Sequence, residues 1–569
     1  MLAASDLNLL MVRADDHAPV LDDGLPELAA REQGPVTKTA SPSHLWDEGG
    51  DPNDLAAQRW GVIAPQGPAG DRLLALVRPL IERRQAQQGD PVRVYRVPAQ
   101  MTQDEAMRWK KREFDSGADL NLEVPRYQLL LGDLDQVPLA LQQVQASDGH
   151  VGRLAFDRED DYAAYVDKVL RWEKLSAGPG TGRALFFTVH DGTAATSVGH
   201  RALVGPGVEV VRRRQAAGHY AAREIVEFGD RVTPSPDELL ARTAAFDPSV
   251  LFTLSHGEGA PRGGWRSFEE QRRRQGAMSF GREGKLTGDD LRTRPFMPGG
   301  VWFMLACYGA GTPRASAYRH WLAALAEAGQ FRGKVDAVLA GLPRPDERPF
   351  TAALPQAVLA NPDGPLAFMG HIDLAWTYGF QELDSGATNR PARYMAITRA
   401  ILKRDRVGVA MRELLRFFDQ TNIELTSLYD QEAQAKALGH AYEADAARQG
   451  HLWMLRQDLA AYVLLGDPAV RLPAREEAEP PAPRPIEVHT PSPANHSEAT
   501  NPAPVTTTSP PSAASAAPVS AVQALEEALM HVLHAEHALA AIAVRLGVAQ
   551  GELDRRVAAY RAAGRRTAE

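Results

Sequence analysis

Two apolar runs, residues 250–254 and 301–306, each end on a side chain capable of chemistry: the first delivers Ser255-His256-Gly257 and the second delivers Cys307. Such runs are buried on both faces, as strands inside a parallel sheet are, and functional groups gather in the loops beyond the carboxyl ends of those strands. If the two strands are neighbours, His256 and Cys307 leave one sheet edge together. The thiolate is then a nucleophile, and the imidazole takes the thiol proton and returns it to a leaving group. The N–H of Gly257, which has no side chain to block an approach, and that of Cys307 are placed to receive a developing oxyanion. Gly259, Gly309 and Gly311 keep the same rim open. A lone cysteine in a core strand is ordinarily a small inert hydrophobe. The succession strand, His-Gly, spacer, strand, Cys, small-residue loop and a helix from near Pro313 favours chemistry instead.

The stretches TLSHGEG (253–259) and FMLACYGAGT (303–312) resemble the caspase-like cysteine peptidases, where histidine follows one core strand and cysteine the next. Within that group the chain is most similar to the gingipain-type peptidases, through residues 127–133 (YQLLLGD), 151–154 (VGRL), 161–173 (DYAAYVDKVLRWE) and Leu464-Leu465-Gly466-Asp467-Pro468. The resemblance spans roughly residues 60–473. It implies an α/β peptidase of two subdomains with His256 and Cys307 as its dyad. It also implies that the loop holding Asp191, in Val189-His190-Asp191-Gly192-Thr193, borders the pocket for the residue before the cleaved bond, where a carboxylate favours Arg or Lys by charge pairing. A plain turn-stabilising role for Asp191 is the competing reading. Gly370-His371-Ile372-Asp373-Leu374-Ala375-Trp376 follows another buried run, so Asp373 and Trp376 are candidates for the cleft wall, with core packing the alternative for Trp376. His371 competes with His256 as base. The His-Gly context and the order before the cysteine favour His256.

A chain of 569 residues with 44% hydrophobic content supports two or three folded units. Its net charge of −9 speaks against a nucleic-acid partner. The one cysteine precludes an internal disulfide, and neither a secretory signal nor a membrane-spanning run is visible, so a cytoplasmic protein without a membrane partner is expected. The expected fold is α/β: two consecutive subdomains with mainly parallel sheets flanked by helices, the second caspase-like, plus a C-terminal helical appendage. The divisions are a poorly ordered leader (1–55), an N-terminal α/β subdomain (56–178), the catalytic subdomain (179–474), a Pro/Ala/Ser/Thr-rich linker (475–520) and a helical module (521–569) that invites an activating or recruiting protein. Strands are expected at 208–211 and 335–340, helix through 422–461, and a mobile loop at 263–288.

Other patterns fail their own context. Ala277-Met278-Ser279-Phe280-Gly281 imitates a serine nucleophile elbow without the preceding strand. His531, His534 and His537 share a helix face but lack a fourth metal ligand. Neither a P-loop nor a dinucleotide fingerprint is present. The sequence therefore reads as a cysteine endopeptidase acting on a protein or peptide substrate without metal or organic cofactor, latent until a partner or a cut within 263–288 releases it. A signalling or defence peptidase dedicated to one protein is the narrower form. The alternative is a non-catalytic caspase-like scaffold that binds a peptide.

Overall fold

The computed structural model describes residues 6–22, 24–26, 51–115, 124–175, 182–329, 333–344, 346–382, 388–389 and 391–473. The linker, the helical module and the three histidines at 531, 534 and 537 lie outside the described residues.

A ten-stranded sheet forms the centre. Its order across is Arg93–Val97, Trp60–Pro65, Tyr127–Leu131, His150–Leu154, Tyr462–Leu465, Ala367–His371, Val301–Leu305, Ser249–Leu254, Gly182–Thr188 and Ala222–Phe228. Every residue of the central strands is buried, which explains why they read as continuous apolar runs. The first five strands are mutually parallel, as are the last five. The two sets run in opposite directions and meet where Ala367–His371 pairs with Tyr462–Leu465. The two α/β halves thus share one sheet, with a seam in the middle, and the strand after the last long helix crosses back to complete the N-terminal half. Buried Asp467, just past that strand, accepts from Trp60 Nε1 at 3.0 Å and from Arg84 Nε at 2.8 Å, tying the seam to the far strands.

Several elements differ from expectation for identifiable reasons. Residues 208–211 belong to the helix Gly205–Ala216, and residues 335–340 to the helix Lys334–Gly341. In each, the buried valines stand three apart (Val208 and Val211; Val335 and Val338), so helical periodicity outweighs β-branched propensity. The stretch 422–461 holds the end of one helix, Val407–Leu438, and a second, Ala446–Ala460; Gly439 in the left-handed region closes the first. The expected mobile loop at 263–288 contains the helix Phe268–Arg274 and two short strands, Met278–Ser279 and Lys285–Leu286. These join His256–Gly259 and Met11–Arg13 in a second sheet of four strands. Within the expected leader, the described residues Leu7, Leu9, Leu10, Met11 and Val12 are all buried, the apolar run at 9–12 packing into the core. No helix among the described residues is long and apolar enough to cross a membrane.

Candidate active site

The strands Ser249–Leu254 and Val301–Leu305 are parallel neighbours in matched register, Leu254 beside Leu305, so the chain leaves both at one edge of the sheet. There the backbones of Gly257 and Cys307 touch: a Cβ built on Gly257 would lie 1.9 Å from the Cys307 carbonyl oxygen. No residue but glycine fits. Tyr308, directly after the cysteine, takes a left-handed φ of 56°, an uncommon state for an aromatic residue, and its N–H is held by the Asp373 carbonyl at 3.0 Å.

Both of the amides proposed for an oxyanion converge on one atom. The carbonyl oxygen of Leu10 accepts from Gly257 N–H at 2.9 Å and from Cys307 N–H at 3.2 Å. On one side of that carbonyl, residues 8–10 lie along residues 375–377: Leu10 N–H donates to Ala375 O at 3.4 Å, Leu9 and Trp376 form an antiparallel bridge, and Thr377 N–H donates to Asn8 O at 3.3 Å. On the other side, Met11–Arg13 runs parallel to His256–Gly259. An extended segment of the chain's own N-terminal region therefore threads the cleft, with one peptide carbonyl seated between the two donors.

His256 is fully buried and its Nε2 lies 2.9 Å from Thr193 Oγ1 and 3.7 Å from Asp191 Oδ2. Asp191 Oδ1 in turn accepts from the Thr193 amide at 3.1 Å, the Thr193 hydroxyl at 2.8 Å and the Thr196 hydroxyl at 2.7 Å. A hydroxyl has one proton to give. With that proton on the carboxylate, Thr193 Oγ1 accepts from His256 Nε2–H, and the other ring nitrogen, Nδ1, carries the free lone pair of the neutral ring. Burial pulls the imidazole below its usual value, opposed by the Asp191 charge and by the Leu10 backbone. Burial pushes the Cys307 thiol well up, opposed by the Ala375 amide, which points at Sγ from 3.2 Å. Burial thus disfavours the charged form of both the thiol and the imidazole.

The remaining sequence candidates do other work. Asp191 turns to His256 rather than standing free in a pocket. Asp373 is buried and accepts from Ala317 N–H and Leu374 N–H, each at 2.8 Å, fastening the loop after its strand; burial raises its pKa. Trp376 contributes its backbone to the cleft, while its ring packs edge-on against Tyr318 and Trp321 in the core. His371 is no free base: its Nδ1 lies 2.9 Å from the Asp373 carbonyl and its Nε2 3.2 Å from the Asp458 carbonyl, with Asp458 Oδ1 at 3.5 Å. Asp458 also accepts from Trp376 N–H at 3.1 Å, so this pair underpins the segment against which residues 8–10 lie. His190 and His200 meet edge-on, and His200 Nε2 meets Glu227 at 2.9 Å. Sequence reasoning missed Leu10, Thr193 and Asp458. A hint of the first was the run Leu9-Leu10-Met11-Val12.

No protein-family model matches the chain, and no curated protein does. Among solved structures, it is similar to the Arg-specific cysteine proteinase gingipain R, at 13% identity and a TM-score of 0.41, over 74% of this chain and 79% of that one. It is similar to the same degree to the complex of Porphyromonas gingivalis RgpB pro- and mature domains, at 13% identity and a TM-score of 0.41, over 73% of this chain and 80% of that one.

Proposed function

We propose that this chain is a cysteine endopeptidase. The observation that supports the reading best is the Leu10 carbonyl held by the amides of Gly257 and Cys307, the geometry that a peptide carbonyl needs at the moment of attack. Cys307 Sγ adds to the carbonyl carbon, and its proton passes to His256 Nδ1. The oxygen, now carrying the charge, strengthens its bonds to the two amides. Collapse expels the amine, which takes the proton from the imidazolium, and water then hydrolyses the thioester with His256 again as base. Thr193 and Asp191 act through the histidine: they fix its tautomer and balance its charge when it is protonated. Residues 375–377 supply the edge along which the substrate lies as an added strand.

Cleavage profiling against a diverse peptide pool, with the Cys307→Ala protein as control, tests the reading. Cleavage that the variant lacks is the expected result. Identical profiles from the two proteins overturn it.

A further inference from the structure

The segment that covers the site is written in the chain's own sequence, and it sets one peptide carbonyl between the two amides proposed for the oxyanion. Leu10 presents its carbonyl to both oxyanion donors, residues 8–10 pair with residues 375–377, and Met11–Arg13 continues on the far side. The side chains on the bound stretch are apolar: Leu9 is 1% exposed, Leu10 0% and Met11 1%, and all three belong to the main core cluster. The two carboxylates that would suit a basic residue are committed elsewhere, Asp191 to His256 and two threonines, Asp373 to two backbone amides. A cationic side chain in place of Leu10 would lose its water without gaining either partner, a cost far above that of one lost methylene contact.

We infer that the site cuts peptides carrying apolar residues at the two positions before the cleaved bond, and that the Leu10–Met11 bond of the chain itself is its first substrate. This rests on the peptidase reading and narrows it to a substrate class. In that first turnover, Cys307 Sγ bonds to the Leu10 carbonyl carbon and the Leu10–Met11 C–N bond breaks. The new Met11 amine takes the proton that His256 received from the thiol. Water then adds to the Leu10 thioester, restoring the thiol and leaving a carboxylate on Leu10. The part downstream stays clipped: Met11–Arg13 keeps its pairing, and His17 Nδ1 lies 3.2 Å from the buried Glu258, which also meets Lys285 at 3.0 Å. What separates is the stretch ending at Leu10, whose departure opens the edge at residues 375–377 to other chains. Before the cut the protein is held closed by its own substrate.

The test follows full-length protein over time by intact mass under denaturing conditions, which shows a nick even when the released peptide remains docked. Wild type is expected to lose the fragment ending at Leu10 and to gain an N-terminus at Met11. Cys307→Ala stays whole. Leu10→Met keeps a rate near wild type, whereas Leu10→Arg and Leu10→Asp are cut at least about a hundredfold more slowly, the scale set by a mismatched apolar pocket and a desolvated charge. The same protein run on a peptide pool prefers leucine over arginine before the cleaved bond. A pool cleaved by wild type with bond 10–11 left intact, or Leu10→Arg cut as fast as wild type, overturns the inference and leaves the peptidase reading standing. No cleavage of pool or chain beyond the Cys307→Ala control overturns both.

Discussion

Under the proposed peptidase reading His256 receives the Cys307 proton, and how well it does so depends on two residues, Thr193 and Asp191, packed against its Nε2. Thr193 sits between the His256 ring and the Asp191 carboxylate, 2.9 Å from one and 2.8 Å from the other. Removing its hydroxyl while keeping its shape, Thr193→Val, leaves Nε2–H facing Asp191 Oδ2 at 3.7 Å, too far for a full hydrogen bond. The wrong tautomer then competes, and the imidazolium loses part of its support. The expected outcome is a fall in kcat of about a hundredfold with KM nearly unchanged, within the range for a disturbed general base. The pH profile carries the sign: with less negative charge coupled to the ring, the base is harder to protonate, and the acidic limb of kcat against pH moves to lower pH. Thr193→Ser, which restores the hydroxyl, recovers the rate. A variant with unchanged kcat and an unshifted acidic limb would leave Thr193 as simple packing.

At the scale of elements, the proposed peptidase divides its site between one wall that would catalyse and one that would bind. The binding wall, residues 375–377, follows the strand Ala367–His371 and is held from beneath by Asp458, at the end of the helix Ala446–Ala460. Asp458 is fully buried and faces His371, whose pKa is raised, burial notwithstanding, mainly by that carboxylate. Asp458→Ala would leave the Trp376 amide without its acceptor and take the neighbouring charge from the His371 ring, costing about 1–3 kcal/mol for a buried donor left unsatisfied. Because Trp376 bridges the substrate strand rather than the reacting atoms, the milder Asp458→Asn is expected to raise KM severalfold with a smaller change in kcat. Peptide kinetics on the nicked enzyme would measure the split, and an effect on kcat alone would sink it. How much of this was legible in the sequence follows from periodicity. The strands at His256 and Cys307 announce themselves because burial on two faces leaves no polar interruption, and Gly257 is demanded by a backbone approach that one sequence position can signal. Thr193, Asp458 and Leu10 were not legible, since each acquires its role from a partner far along the chain: 63 residues separate Thr193 from His256, and 82 separate Trp376 from Asp458. Valine pairs misled where they stood three apart, because windows as short as 208–211 and 335–340 cannot distinguish a half-buried helix from a short strand.

Across the described body, the ten-stranded sheet runs through both halves, and a buried histidine at its seam gives a prediction for acid. His150, at the start of the strand that pairs with Tyr462–Leu465, is buried, with its ring centroid 4.6 Å from that of Tyr127. Burial first, then the charge of Arg412 on the long helix, then Arg126, hold its pKa down to about 3. In the unfolded chain the same ring titrates near its ordinary value of about 6.5. The folded value is the lower one, so the neutral ring's contribution is fully present above about pH 6.5 and drains away as pH falls towards 3, because only the unfolded chain takes up the proton. The slope is about 1.4 kcal/mol per pH unit for one such group. His451, held down to about 4 chiefly by burial and then by Arg393, adds a second contribution of the same sign. His150→Phe keeps an aromatic ring beside Tyr127 and removes the titration. Its free energy of unfolding between pH 6 and 4 is therefore expected to fall by about 1.4 kcal/mol less per pH unit than that of wild type. Denaturant titrations at a series of pH values, read by both tryptophan fluorescence and far-UV dichroism, measure that slope. They also test the seam: transitions that coincide for both probes follow from a continuous sheet. A half that melts by itself as pH drops would mean that the pairing of Tyr462–Leu465 with its two neighbours does not couple them.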